Sequence, residues 1–390
     1  MSDINNHVND NEKLKKESTD MLFDACYKGY IDTVKQLIAN GADVTEASST
    51  AVFIAAERGN LCMAQIVVEA GADPTRGLDI AAYNNDIDMV KYLLSKKGDL
   101  TGFRCDPLHY ACKNGNVKMV KLFIRAGINV NYCDGLAIYD AIKEYNNELN
   151  ATKIIKMLLK AGLNRIERTS PKYNGAFIYH FDLIETIVGR NYAKALKIIL
   201  DTGYKMLDSE AEKAIEIAIR NQNIEILKIL LRYGANLKNI SLKHFRDTVM
   251  TGNYELTKFL LEKGINKEER ALSIACMNGY DEIVKLLLDY GYNPNYNRSA
   301  PFISACMKCK QVSTIKKLVA KGARIRARKN LALKMAVRYS SYPIVDYLID
   351  VGANPRRVDK KDLMLANENI KELIKKSKIK KSLWHKLINS

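Results

Sequence analysis

Proline is scarce in this chain, with seven in 390 residues, and tryptophan occurs once. So few helix breakers, with 47% hydrophobic residues, point to a chain folded over most of its length. Long apolar runs are missing too. None approaches the ~18 residues needed to cross a bilayer, which excludes a helical membrane span. The N-terminus carries no charged-then-apolar leader, so an intracellular protein, cytoplasmic or nuclear, is expected. The eight cysteines make no compact disulfide framework, in keeping with that compartment. Catalytic motifs are absent: there is no Walker loop, G-x-S-x-G or H-E-x-x-H, and the five histidines never pair at i, i+4. The C-x-x-C at Cys306 and Cys309 has no second pair or nearby histidine at zinc spacing. The sequence therefore predicts no catalytic residue, no metal and no cofactor.

What the chain has is a phrase stated many times, most cleanly from Ala271 to Pro294 as ALSIACMNGYDEIVKLLLDYGYNP. Leu272, Ala275 and Cys276 recur at helical spacing, then Asn278-Gly279 turns the chain, and Val284, Leu287 and Leu288 make a second apolar stripe. Gly291 stands where the second helix should end. Such a helix pair is too small to bury its own apolar face. Equivalent glycines fall at Gly41, Gly71, Gly98, Gly127, Gly162, Gly203, Gly234, Gly264, Gly291, Gly322 and Gly352. Their mean spacing is about 31 residues, inside the range of solenoid repeats. A small residue marks the first helix sixteen residues before most of them, as at Ala25, Ala55, Ala111, Ala218, Ala275 and Ala336.

The shared unit, A-x-x-x-G-x-x-x-[IV]-V-K-x-L-[LI]-x-x-G-[AI]-[DN], resembles an ankyrin repeat over roughly residues 20 to 358. The fourth unit, Asp106-Pro107-Leu108-His109-Tyr110-Ala111, comes nearest to that family's Thr-Pro-Leu-His opening. The resemblance implies an all-α solenoid of about eleven helix-turn-helix units. Most units lack the opening and the period is short, so the fingers between units are expected to be clipped or irregular. The Asn-, Ile-, Lys- and Tyr-rich style is similar to the ankyrin families of giant, mimivirus-like DNA viruses. Poxvirus ankyrin proteins usually end in an F-box-like segment. The tail after Pro355 has no such start, and that activity is not implied.

Taken in order, residues 1–19 are polar and read as a disordered arm, with Asp20 positioned to cap the first helix. The array, residues 20–358, includes Asn85 in place of an inter-helix glycine and an extra Lys97 before Gly98. It becomes irregular at 144–190, with an insertion from Glu144 to Asn150, a long connection from Leu163 to Gly175, and a sixth unit without its alanine marker. Those departures are either tolerated loop growth or a bend or binding feature. Residues 359–390 read as basic capping helices and a tail.

Cys26, Cys112, Cys276 and Cys306 each follow a marker alanine and read as small packing residues, and Cys309 falls at the inter-helix glycine position. A lysine row, Lys35, Lys121, Lys156, Lys197, Lys228, Lys258, Lys285 and Lys316, stands six residues before the glycines and reads as a solvated face.

The net charge of +17 is unevenly spread: from Lys316 onward there are 20 Lys/Arg against 6 Asp/Glu. Its foci are a finger containing Arg324, Arg326, Arg328 and Lys329, and the tail from Lys375 to Lys386 around Trp384. The four finger residues are the candidate partner-binding site, expected to be exposed rather than structural. The repeat architecture implies a monomeric, non-catalytic protein-protein interaction scaffold or adaptor. A viral setting directs it at host or viral proteins. The alternative is a binder of nucleic acid or another anionic surface through the basic C-terminal quarter. Capping and solubility remain the bland account of that charge.

Overall fold

The small marker residues explain how the helices stack. In the pair Arg270–Asn278 and Asp281–Asp289, Ala271, Leu272, Ala275 and Cys276 of the first helix are buried, as are Ile283, Val284, Leu287 and Leu288 of the second. Ala275 and Cys276 let neighbouring first helices approach closely, and each buried leucine contributes about 2 kcal/mol. Asp281 and Glu282 sit in the first turn of the second helix, where backbone N–H groups favour negative charge. The buried Asp281 also accepts a hydrogen bond from Thr314 of the next pair.

The computed structural model describes residues 2–100, 106–131, 136–143, 147–163, 183–309, 311–339 and 341–388. Among them the chain forms twenty-four α-helices and no strand. Two compact units divide the chain, Met1–Lys205 and Met206–Ser390. The first contains the pairs Ser2–Lys28 with Ile31–Ala39, Glu46–Glu57 with Leu61–Glu69, Leu78–Tyr83 with Ile87–Ser95, Asp106–Lys113 with Val117–Arg125, Leu136–Lys143 with Glu148–Lys160, and Leu183–Gly189 with Ala193–Asp201. The second contains Asp208–Arg220 with Ile224–Arg232, Leu242–Thr251 with Tyr254–Glu262, Arg270–Asn278 with Asp281–Asp289, Tyr296–Lys308 with Val312–Ala320, Ala327–Arg338 with Tyr342–Asp350, and Lys360–Met364 with Glu368–Ile388. Within each unit, first helices pack on first helices and second on second. Each unit is an all-α solenoid.

Second helices start with side-chain caps. Asn60, Asn116, Asn223 and Asn253 accept from the amides of Met63, Met119, Ile226 and Leu256 at 2.9–3.0 Å. Asn85 takes the left-handed turn with φ 60, as expected of an asparagine there.

Four expectations are corrected. Residues 1–19 are not a disordered arm: one helix runs from Ser2 to Lys28, and no proline or glycine interrupts it before that end. Asp20 lies inside that helix and caps nothing. The left-handed position before Gly98 belongs to Lys97, with φ 68, so the extra residue and not the glycine ends the helix Ile87–Ser95. Cys309 has φ −69 and ψ 140, extended backbone rather than the glycine-like turn expected of it. Residues 164–182, nearly all of the long connection and the start of the sixth unit, lie outside the described residues, as do residues 144–146 of the insertion, whose last three residues begin the helix Glu148–Lys160. Ile187, buried, occupies the missing alanine's place.

The N-terminal helix is held by polar ties. Thr19 accepts from the Asp43 amide at 3.2 Å, and Lys15 pairs with the Asp43 carboxylate at 3.1 Å. Hydrogen bonds from the Thr45 hydroxyl and amide, with Lys15 adding to them, hold the Asp43 pKa down at about 2. A depressed carboxylate stabilises the fold above its unfolded pKa of about 3.9 and stops doing so as pH falls through its folded value. Thermal melts of the whole chain taken between pH 5 and pH 2 should therefore show an acid-sensitive component that Asp43→Asn removes. An unchanged pH slope in the variant would rule this tie out.

Candidate interaction surface

Two residues beyond the marker position, four of the first helices expose a large apolar side chain. In the first unit these are Tyr27, 52% exposed, and Tyr83, 59%. In the second they are Met250, 53%, and Met277, 56%, on consecutive repeats. Arg58 lies over the Tyr27 ring at 4.6 Å, and Tyr83 meets Tyr110 edge-on at 5.1 Å, so the tyrosines are held outward. The repeat pattern marks this column, but sequence reasoning passed over it because it varies freely between units.

The fingers are tied to one another. Asn131, Lys267 and Asn295 donate to the carbonyls of Gly162, Gly291 and Gly322, each the helix-ending glycine of the following repeat, at 2.8, 3.0 and 2.8 Å. Asn295 also accepts from the Arg324 amide at 2.8 Å, and the buried Asn330 accepts from the Asn354 amide at 2.8 Å.

All four predicted site residues, Arg324, Arg326, Arg328 and Lys329, are exposed on one finger. One correction applies: Arg326 is also structural, because its Nε donates to the Gly352 carbonyl at 2.8 Å. Arg324, Arg328 and Lys329 make no side-chain hydrogen bond or ion pair among the described residues. Arg328, Lys329 and Asn330 have φ values of 49, 57 and 63, a complete left-handed turn. Asn297, Arg298 and Ser299 repeat it one finger earlier, at 46, 57 and 68.

Other C-terminal charge is absorbed by the fold. Arg338 binds the fully buried Asp362 at 2.6 Å, Lys334 reaches it at 3.3 Å, and Lys334 also holds Asp359 at 2.9 Å. That bond from Lys334, helped by the Asp362 amide, lowers the Asp359 pKa to about 2. Lys317 pairs with Asp289 and Lys371 with Glu368. The side chains of Trp384 and the last basic residues lie outside the described residues. Seven members of the lysine row are exposed as expected, and Lys285 is half-buried against Glu282 and Gln311.

Among the described residues, a histidine-carboxylate pair and a cluster of thiols lie inside the repeats. His109 Nδ1 meets the buried Asp140 carboxylate at 2.5 Å, the geometry of an oriented base. Cys112, which feels the Asp140 charge, is fully buried, and burial pushes its pKa well up, so it is no nucleophile. Cys276, Cys306 and Cys309 are buried together, with Cys276 and Cys309 hydrogen-bonded and the Cys276 and Cys306 pKa values raised by desolvation. Among the described residues no group of three or more His, Cys, Asp or Glu is arranged to hold a metal ion. No described helix is long and apolar enough to cross a membrane.

The family model for ankyrin repeats matches residues 3–77, 78–168 and 246–329. This chain belongs to the ankyrin repeat family. Among its relatives, an ankyrin repeat protein of Acanthamoeba polyphaga mimivirus is 26% identical over 295 residues, spanning 72% of this chain and 70% of that protein. An ankyrin repeat protein of Fowlpox virus is 28% identical over 237 residues, spanning 53% of this chain and 43% of that one. Against several curated relatives the ankyrin chain spans 54% of their length or less. Among solved structures, an ankyrin repeat domain from Acinetobacter baumannii is 25% identical, with a TM-score of 0.38, covering 47% of this chain and 98% of that domain. Ankyrin repeats are a protein-interaction domain, and this ankyrin chain has viral homologues.

Proposed function

We propose that the chain is a non-catalytic interaction scaffold or adaptor, working as an intracellular monomer in the cytoplasm or nucleus. A protein partner, host or viral, seats against the first helices within one unit or the other. The exposed pairs Tyr27 and Tyr83, and Met250 and Met277, carry this reading. Tyrosine gives a large contact area for little rotamer entropy, and methionine adapts to irregular apolar surfaces. All four are more than half exposed. The mimivirus and fowlpox relatives support the viral setting.

The test is quantitative capture from infected cells with the full chain and with a variant carrying Tyr27→Ser, Tyr83→Ser, Met250→Ser and Met277→Ser. A partner that seats there should be recovered about thirtyfold less with the variant, at unchanged helicity, since the two anchors lost in one unit cost about 1 kcal/mol or more each. Equal recovery of every partner would sink the reading.

A further inference from the structure

Within the second unit, three consecutive fingers, residues 292–299, 323–330 and 353–361, lie side by side through the bonds Arg324 amide to Asn295, Arg326 to the Gly352 carbonyl, and Asn354 amide to Asn330. These segments hold nine Lys/Arg and one acidic residue, Asp359, whose carboxylate is bonded to Lys334. The finger before them, around Lys267 to Arg270, balances its charges with Glu268 and Glu269. Positive charge is therefore gathered on one edge of the last repeats.

The backbone of that edge is built to display it. In each left-handed turn the third residue is buried and bonded: Ser299 donates to Asn295, and Asn330 accepts from Asn354. The first two residues face outward, Asn297 with Arg298 in one turn and Arg328 with Lys329 in the next. Left-handed backbone is costly for side chains such as arginine and lysine, and such strain persists where the surroundings hold it for a use.

None of the exposed large apolar side chains lies in the three fingers. A protein interface needs apolar or aromatic anchors, and a single-stranded nucleic acid needs aromatic stacking platforms. A row of exposed arginines and lysines without either suits a regular array of phosphates recognised by charge, as along a duplex backbone. We infer that the Arg298, Arg324, Arg328, Lys329, Arg356 and Arg357 edge binds the phosphate backbone of a nucleic-acid duplex, without reading sequence. This surface is separate from the first-helix column.

The measurement is fluorescence anisotropy of the full chain with a labelled mixed-sequence DNA duplex of about 25 base pairs, long enough to pass the whole edge. Six phosphate contacts predict a log–log salt slope of about −5, so affinity should fall about a thousandfold between 50 and 200 mM salt. Replacing Arg298, Arg328, Lys329 and Arg356 by glutamate should reduce that slope by about four. A control with the same charge change, Lys35→Glu, Lys121→Glu, Lys228→Glu and Lys258→Glu on second helices, should bind within about threefold of the parent. Circular dichroism checks that both variants keep their helices.

The double variant Arg328→Gly, Lys329→Gly separates display from folding. Its melting temperature should rise as the strain is relieved, while duplex affinity falls about tenfold or more. No duplex binding, equal losses in the control, or polyglutamate displacing the duplex at equal charge concentration would each overturn the inference. So would a glycine variant that binds like the parent.

Discussion

Replacing Asp362 by alanine should destabilise the second unit by about 3 kcal/mol, a large effect for a single repeat. Asp362 is fully buried, and its two oxygens take Arg338 at 2.6 Å, Lys334 at 3.3 Å and the Asp359 amide at 3.1 Å. Its own amide donates to Asp359 Oδ1 at 3.0 Å, completing a reciprocal cap on the helix Lys360–Met364. Removing the carboxylate leaves Arg338 without its partner, leaves Lys334 with Asp359 alone, opens a buried gap and removes one half of the cap. Arg338 is partly exposed, which places the figure at the lower end of the range for a broken buried pair. Urea unfolding gives the total. Hydrogen exchange should show the loss concentrated in residues 342–388, because repeats couple to their neighbours. A loss under about 1 kcal/mol would mean the cluster is solvent-screened in solution.

The second large effect compares two glycines that look alike in the sequence. Gly279→Ala should cost about 3 kcal/mol and Gly291→Ala about 1 kcal/mol. Both have left-handed backbone, with φ 72 and 77, so both substitutions carry the strain of a Cβ there. At Gly291 nothing lies within 4 Å of the added carbon. At Gly279 it would stand 2.8 Å from the carbonyl oxygen of Lys308, backbone of the next repeat that cannot swing aside as a side chain does. Paired denaturation curves decide it: equal losses would show that Lys308 gives way.

That pair marks how far the sequence was legible. Period, apolar stripes and marker alanines foretold the helix pairs, since each is a local consequence of helical geometry repeated many times. Contacts between repeats were not foretold. Gly279 and Gly291 differ only in what the following unit brings near them. Arg326 reaches the Gly352 carbonyl, and Arg328, two residues on, takes left-handed backbone and makes no such bond. The N-terminal helix was misread because composition reports the missing apolar face and not the ties of Lys15 and Thr19 to Asp43. Lys97 was seen as a surplus residue, but its role in ending the helix depends on a backbone angle that a lysine does not advertise.

For the candidate surfaces, the basic finger was legible as charge and illegible as conformation. Two successive left-handed turns carry no glycine signal: Asn297, Ser299 and Asn330 are turn-prone, but Arg298, Arg328 and Lys329 are not. The exposed Tyr27, Tyr83, Met250 and Met277 were hidden for the opposite reason. Subtracting the shared repeat leaves a column with no consensus, and only burial separates an exposed anchor from a packed one.

The side-chain clasps from Asn131, Lys267, Asn295 and Arg326 all end on the same kind of acceptor, the carbonyl of the helix-ending glycine one repeat later. That oxygen exists whatever residues surround it. A clasp severed by loss of a repeat can therefore close again on whichever repeat becomes its new neighbour, and a duplicated repeat arrives with a ready partner. Coupling written onto the main chain lets the array lengthen and shorten through recombination without re-evolving its joints.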